Sequence, residues 1–349
     1  MKIHVSAQNP YDVIIEAGCL QKTGENILPY CGGKYAAIVT DETVDALYGE
    51  MVEKSLRESG IRFVKKVIKP GEASKNAENY IALLEFLAEN RLTRTDLLLA
   101  LGGGVVGDLT GFAAATYLRG ISFVQVPTTL LAMVDSSVGG KTAIDLRAGK
   151  NLAGAFYQPK TVLCDPCVLS TLSEDILADG CAEVIKYGVL GSESLFSHMQ
   201  EKGLNFDREA VIEECVLMKS RIVNADEFDH GMRQLLNFGH TFGHAVEKLS
   251  DFGLSHGKAV AIGMVMMAKS AEKAGICEKE VASSIIKACE KAGLPTKTSY
   301  SPEAIYEALL SDKKRKGDSL TLVVPEKIGT CSLRPTAIED ILAFLQKGI

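Results

Sequence analysis

Leu97–Asp108 reads LLLALGGGVVGD. A short apolar run with no polar interruption is the pattern of a strand buried on both faces, as in a parallel sheet. It runs straight into Gly102-Gly103-Gly104 and an apolar, Gly- and Ala-rich stretch with helical character. Upstream, Tyr35–Thr40 (YAAIVT) ends at Asp41 and reads as another buried strand; Val44–Ser59 has helical spacing and stops at Gly60. Ile61–Ile68 is strand-like, Asn76–Asn90 helical, and Ile121–Val126 one more strand. Strands alternating with helices of this length predict a largely parallel sheet covered on both faces. From about Leu172 the pattern changes. Segments 173–201, 207–224, 232–250, 256–275, 279–292 and 302–311 have helical spacing, and a strand signal returns only at Leu320–Val324. The reading is an α/β N-terminal nucleotide-binding domain, residues 1–161, followed by a mostly α-helical C-terminal domain, residues 162–349. Pro159 and Pro166 punctuate the boundary.

Composition bounds the function. With 349 residues, two domains are expected; 46% hydrophobic residues suffice for a sizeable core. A net charge of -6 argues against nucleic-acid or membrane-surface partners, both of which are anionic. An anionic substrate must therefore be held by a local cluster of Lys and Arg. The opening MKIHVSAQNPYDVIIEAG lacks the apolar region of a signal peptide, and Ala259–Ala268, the best apolar stretch, is half a membrane span. A soluble, cytoplasmic protein is expected. The nine cysteines are scattered. Cys164-Asp165-Pro166-Cys167 has no second pair to complete a zinc knuckle; it reads as separate thiols in a reducing compartment, with a redox dithiol the alternative.

Three motifs carry chemistry. In the first, Gly102, Gly104 and Gly107 match G-x-G-x-x-G, where glycines admit a phosphate close to the backbone and a helix N-terminus offers N–H donors. No acidic residue follows at the ribose-binding distance of about 20 residues. Asp41 could accept the adenosine hydroxyls or simply cap the next helix. The second is Val126–Asn151, VPTTLLAMVDSSVGGKTAIDLRAGKN, dense in hydroxyls, glycines and cations. Gly140-Lys141-Thr142 matches the end of a P-loop, but Asp135 stands where that pattern needs Gly, which argues against a nucleotide triphosphatase. Lys141, Lys150 and Asn151 could grip a phosphate or carboxylate, with Arg119 a further cation. The third is Arg233–Glu247, RQLLNFGHTFGHAVE. His240 and His244 share one helix face. With Glu183 in DGCAEVIKYGVL and His256 in LSHGKAV, the chain offers one carboxylate and three imidazoles, a donor set suited to catalytic zinc. A structural His pair is the competing reading. Lys186, one turn beyond Glu183, would lie near the same place. His4, His198 and His230 have polar surroundings and read as surface residues.

Taken together, PGEASK, GGGVVGD, PTTLLAMVDSSVGGKT, GKN, AEVIKYG, LNFGHTFGHA and SHGKAVAIGM resemble the 3-dehydroquinate synthase family, from roughly Asp41 to Lys314. The resemblance implies a dehydroquinate synthase-like fold, a homodimer, and NAD with Zn2+ or Co2+ as cofactors. It implies Glu183, His240 and His256 as metal ligands, with His244 beside the metal. It places NAD against Asp41, Glu72, Lys75, Gly103, Gly104, Val105, Asp108, Thr128, Thr129, Asp135, Ser136, Lys141 and Lys150. It assigns the phosphorylated sugar-acid substrate to Lys141, Asn151, Lys186, Lys219, Arg233, Asn237 and one of Lys313 and Lys314, with Arg119 reaching a neighbouring subunit's site. The implied reaction converts 3-deoxy-D-arabino-heptulosonate 7-phosphate to 3-dehydroquinate and phosphate, by NAD-mediated transient oxidation, phosphate elimination, reduction and aldol closure. Such a lyase belongs to the shikimate pathway of aromatic amino-acid biosynthesis. The rivals are a related sugar-phosphate cyclase and a metal-dependent polyol or glycerol-phosphate dehydrogenase.

Overall fold

The computed structural model of the chain describes residues 1–251, 253–310 and 318–349. Its contacts form two compact units: Met1–Leu172 with Arg208–Phe228, and Ser173–Asp207 with Asp229–Ile349.

The first unit contains β1 (Lys2–Val5), β2 (Tyr11–Ile15), β3 (Tyr35–Asp41), β4 (Arg62–Ile68), β5 (Leu97–Gly102), β6 (Ser122–Pro127), β7 (Lys141–Leu146), β8 (Gly149–Phe156) and β9 (Thr161–Cys164). Seven of these form one sheet in the order β1-β2-β9-β6-β5-β3-β4, parallel except for the β1–β2 pair. Every residue of β5 is buried, which is why its sequence shows no alternation. On one face Leu98 and Ala100 join Val39, Phe123, Leu109 and Leu83 in a single apolar cluster. Each fully buried Leu or Phe there contributes about 1.5–3 kcal/mol. The chain leaves β3 toward β4 on one side and β5 toward β6 on the other. The carboxyl ends of β3 and β5 therefore flank a topological switch point, where open α/β sheets bind ligands. Asp41 and the glycines after Leu101 end these two strands.

β7 and β8 make a separate antiparallel hairpin that the sequence reading left without secondary structure. Thr142 and Ile144 of β7 are buried. Gly111 of the Gly104–Thr116 helix lets that helix approach it, since a Cβ at this glycine would lie 2.4 Å from Thr142 Cγ2. The cations and glycines of the hairpin dilute its period-2 pattern.

The division expected after residue 161 is corrected. The first unit runs on to Leu172, and the Arg208–Ala225 helix returns to it. That helix buries Val211, Ile212, Cys215 and Val216. In its last turn Asn224 Oδ1 accepts the Ser6 N–H at 2.8 Å, and just beyond it Glu227 Oε2 accepts the Gln8 N–H at 2.7 Å. Helical periodicity identifies the helix but not the core on which it docks.

The second unit is mainly helical: Glu174–Gly191, Glu193–Lys202, His240–Leu249, His256–Lys273, Val281–Lys291, Pro302–Leu310 and Ile338–Leu345. A hairpin of β10 (Ser319–Lys327) and β11 (Thr330–Ala337) accompanies them. Ala259–Ala268 lies in a core helix, every residue buried. Among the described residues no helix is long and apolar enough to cross a membrane. The His240–Leu249 and His256–Lys273 helices touch backbone to backbone: a Cβ on Gly263 would lie 2.0 Å from Gly239 O, and one on Gly243 would lie 2.8 Å from Ala259 O. All nine cysteines are free thiols, Cys164 and Cys167 included.

Candidate functional site

Glu183 sits in the middle of the Glu174–Gly191 helix with no solvent exposure. An isolated carboxylate there would be heavily penalised by desolvation. Instead Lys186 Nζ contacts its Oε2, while Oε1 faces His256 Nε2 at 3.2 Å and His240 Nε2 at 3.4 Å. His240 is the first residue of its helix, following Gly239, whose φ of 77° demands glycine. Its Nδ1 donates to Phe238 O at 3.1 Å, which leaves the Nε2 lone pair directed at Glu183. His256 also opens a helix, and Asp179, one turn before Glu183, holds that helix end. Asp179 Oδ1 accepts from Ser255 Oγ at 2.6 Å and from Lys258 N at 3.2 Å.

The ligand atoms of Glu183, His240 and His256 all lie within 4.8 Å of one another. One carboxylate and two imidazoles make a three-donor set, fit for a divalent cation with a position left for substrate. His244 stays outside this trio, its ring centroid 5.2 Å from that of His240 and 6.0 Å from that of His256. It meets the buried Glu247, whose carboxylate forms a second close group with His244 and His256. Glu247 carries no assignment from the sequence, although it lies three residues beyond His244 on the same helix face. Among the described residues, two further cations are buried in this unit: Lys186, and Arg233 in the Met232–Asn237 turn. Asn237 closes that turn and donates through Nδ2 to Gln234 O at 3.1 Å.

The His256 ring has a pH consequence. Burial opposes its charge, but hydrogen bonds with the Glu183 and Glu247 carboxylates prevail and push its pKa up to about 10. In the metal-free chain this proton stabilises the fold fully below the ordinary His value, and the gain is lost as pH rises through about 10. At neutral pH the ring holds a proton that a metal must displace. Zinc binding at pH 7.5 is therefore expected to release about one proton per site and to tighten as pH rises. Calorimetry in buffers of different ionisation enthalpy reads the release directly. Heats that do not change with buffer would show the ring to be neutral.

The first unit gathers the other motif residues. A Cβ on Gly103 would lie 3.2 Å from Thr129 Cγ2, and one on Gly104 would lie 3.1 Å from Ser136 Oγ, so the glycine loop packs directly on the hydroxyl-rich segment. Val105 lies in the first turn of the helix that Gly104 opens. Thr128 Oγ1 and Ser136 Oγ are buried without a hydrogen-bond partner in the protein. Orphaned hydroxyls beside a glycine-lined helix N-terminus fit a bound pyrophosphate. The buried Lys75 Nζ lies 2.5 Å from Asp108 Oδ2, 2.5 Å from Asn151 Oδ1 and 3.9 Å from Glu72 Oε1. Burial disfavours this ammonium, but the Asp108 and Glu72 carboxylates outweigh it and raise its pKa. Lys150 Nζ reaches the same Glu72 oxygen at 3.9 Å. Asn151 takes a left-handed φ of 53°, held by its N–H to Asp145 Oδ1 at 2.7 Å.

Lys219, on the helix that returns to this unit, bonds Asp135 through the backbone carbonyl and through Oδ1 at 2.7 Å. Asp41 Oδ1 accepts from Thr43 N and Val44 N, so it does cap its helix. Lys141 begins β7 at the surface. Arg119 is exposed, and it and Leu118 have φ values of 64° and 51°, two left-handed residues in succession. Lys313 and Lys314 lie outside the described residues.

Two family models cover this chain in sequence: 3-dehydroquinate synthase N-terminal over residues 65–179 and 3-dehydroquinate synthase C-terminal over residues 180–315. The chain belongs to the 3-dehydroquinate synthase family. A 3-dehydroquinate synthase of Clostridium acetobutylicum is 43% identical over 345 residues, with 97% of each chain covered. Among solved structures, a 2-deoxy-scyllo-inosose synthase complexed with carbaglucose-6-phosphate, NAD+ and Co2+ shares the fold at a TM-score of 0.89. It is 23% identical, with both chains fully covered. The 2-epi-5-epi-valiolone synthase of Streptomyces hygroscopicus subsp. jinggangensis, with NAD+ and Zn2+ bound, gives a TM-score of 0.87 at 27% identity, with 96% of each chain covered. The two family models together span residues 65–315, a stretch that contains Lys75, Glu183, His240 and His256.

Proposed function

We propose that this chain is an NAD- and metal-dependent, phosphate-eliminating cyclase. It converts 3-deoxy-D-arabino-heptulosonate 7-phosphate to 3-dehydroquinate and phosphate. The observation that carries the reading is the convergence of Glu183, His240 and His256 in a chain of this family. When bound, NAD takes up and returns a hydride, and the divalent cation polarises a substrate oxygen.

The chain's own residues then have these roles. Glu183, His240 and His256 hold the cation, and Lys186 contacts the second oxygen of Glu183. Lys186 and Arg233 also supply buried positive charge for an anionic substrate, where charge-assisted hydrogen bonds are strongest. Lys141, Asn151, Lys219, Asn237, Arg119 and the Lys313–Lys314 pair complete the substrate assignment. His244 is the imidazole nearest the cluster outside its donor trio, placed to hold or move a proton. Asp41, Glu72, Lys75, the Gly103–Asp108 segment, Thr128, Thr129, Asp135, Ser136 and Lys150 hold the dinucleotide. The Thr128 and Ser136 hydroxyls gain the partners that they lack in the protein alone.

The test is turnover of the heptulosonate phosphate with phosphate release and absorbance at the NADH band followed together. The expected result is stoichiometric phosphate with no net NADH, abolished by chelation and restored by Zn2+ or Co2+. Accumulating NADH would indicate a dehydrogenase. Activity with sedoheptulose 7-phosphate or glucose 6-phosphate in place of the heptulosonate would indicate a different cyclase.

A further inference from the structure

Two of the three donors to the proposed cation depend on one helix. Glu174–Gly191 carries Glu183 in its middle and Asp179 one turn earlier. The Asp179 carboxylate lies not at the cluster but at the start of the helix that His256 opens. Ser255, which precedes that helix, makes no side-chain capping bond of its own. Its Oγ donates instead to Asp179 Oδ1 at 2.6 Å, and the same oxygen accepts the Lys258 N–H at 3.2 Å. Asp179 thus caps the helix of another segment, on both sides of His256. The backbones are equally close: a Cβ on Gly257 would lie 2.0 Å from Asp179 O. Next along the helix, Lys258 Nζ reaches Asp175 Oδ1 at 2.5 Å. Asp175, Asp179 and Glu183 recur every four residues, so one helix face meets Lys258, the helix end and the His256 ring in turn.

A carboxylate at a helix N-terminus satisfies an orphan N–H and opposes the positive end of the dipole. Here it also sets a distance. Four residues of helix span about 6 Å, and the helix is rigid over that length. The clamp at Asp179 and the donor at Glu183 therefore move together. Fixing Ser255 and Lys258 on the clamp leaves the His256 ring only its side-chain rotations with which to find Glu183.

We infer that Asp179 is a positioning residue for the metal centre: it anchors the first turn of the His256–Lys273 helix and so presents His256 to the cation beside Glu183. This rests on the proposed metal-dependent function, but its test stands apart from it. The measurement is zinc affinity of metal-free protein by competition with a chromophoric chelator, alongside melting of the metal-free protein. Asp179→Ala is expected to weaken zinc binding by about tenfold or more, the usual effect of removing a partner that orients a ligand. Asp179→Asn keeps an acceptor oxygen in place and is expected to stay within about threefold of the unmodified chain, with Ser255→Ala between the two. Lys258→Ala, which removes only the outer ion pair, is the control and should leave affinity unchanged. Zinc binding by Asp179→Ala at full strength, with only the melting temperature lowered, would overturn the inference and leave Asp179 as an ordinary cap. Equal losses in Asp179→Asn and Asp179→Ala would also overturn it. Should Asp179→Ala not fold, the Asp179→Asn and Ser255→Ala pair decides. If the unmodified chain bound no zinc, the proposed function itself would fail, and that outcome is read before any variant is compared.

Discussion

Glu183→Gln is expected to lower kcat/KM by about 10³-fold or more and to strip the bound metal at ordinary protein concentrations. The substitution preserves shape and removes only charge. Glu183 is fully buried, and its two oxygens face three cationic or potentially cationic groups: Lys186 on one, His240 and His256 on the other. The amide cannot balance them. A cation held by two imidazoles and a neutral amide oxygen is bound weakly, and Lys186 is left buried without the carboxylate that it contacts. Breaking one partner of a buried ion pair costs about 3–5 kcal/mol, so the variant should also melt earlier. Metal content, activity and melting measured on one preparation separate these effects. A variant that kept its metal and a tenth of its activity would refute the assignment of Glu183 as a donor.

Gly263→Ala is expected to destabilise the second unit strongly. The new Cβ would lie 2.0 Å from Gly239 O and 2.6 Å from Gly243 N, both backbone atoms of the segment that carries His240 and His244. Backbone cannot rotate away as a side chain can, so the two helices must separate. Overpacking of this kind costs about 3 kcal/mol, and the melting temperature should fall by roughly 5–10 °C. Separating the helices also moves His240 away from His256, and zinc affinity should fall with it. Gly293→Ala is the comparison: open space surrounds that position, and only a φ of 76° opposes the methyl. It should cost about 1–2 kcal/mol and leave zinc affinity intact. Equal behaviour of the two variants would contradict close helix packing as the cause.

The parts of this protein that the sequence made legible are those set by local pattern. The β5 run, its glycine turn and the following helix could be read from Leu97–Asp108, because a strand buried on both faces is apolar at every position. The helices of the second half were legible from spacing, and Ala259–Ala268 proved to be a core helix. The i,i+4 relation of His240 and His244 was visible too, and the family motifs singled out His256 and Glu183 from positions far apart in the chain.

Other elements were not legible. The β7–β8 hairpin is a pairing of strands whose cations and glycines mask alternation, and β11 had no strand signal before β10 supplied its partner. The Arg208–Ala225 helix looks like its neighbours in sequence but belongs with the first sheet, because its apolar face and its links from Asn224 and Glu227 fit β1 and the turn after it. The meeting of Lys75, Asp108 and Asn151 joins three segments that no spacing connects.

The amino-acid sequence by itself determined the α/β beginning, the helical remainder, the donor residue types and the family. Periodicity, glycine placement and motif are properties of short stretches, so they survive without knowledge of the fold. The family resemblance already pointed to Glu183, His240 and His256 with His244 beside them; tertiary structure alone decided that Glu247 meets His244 and His256, and that Asp179 caps a helix remote from it in the chain. Those facts follow from how closely helices approach at Gly239, Gly243, Gly257 and Gly263, where the absence of a side chain lets backbone meet backbone.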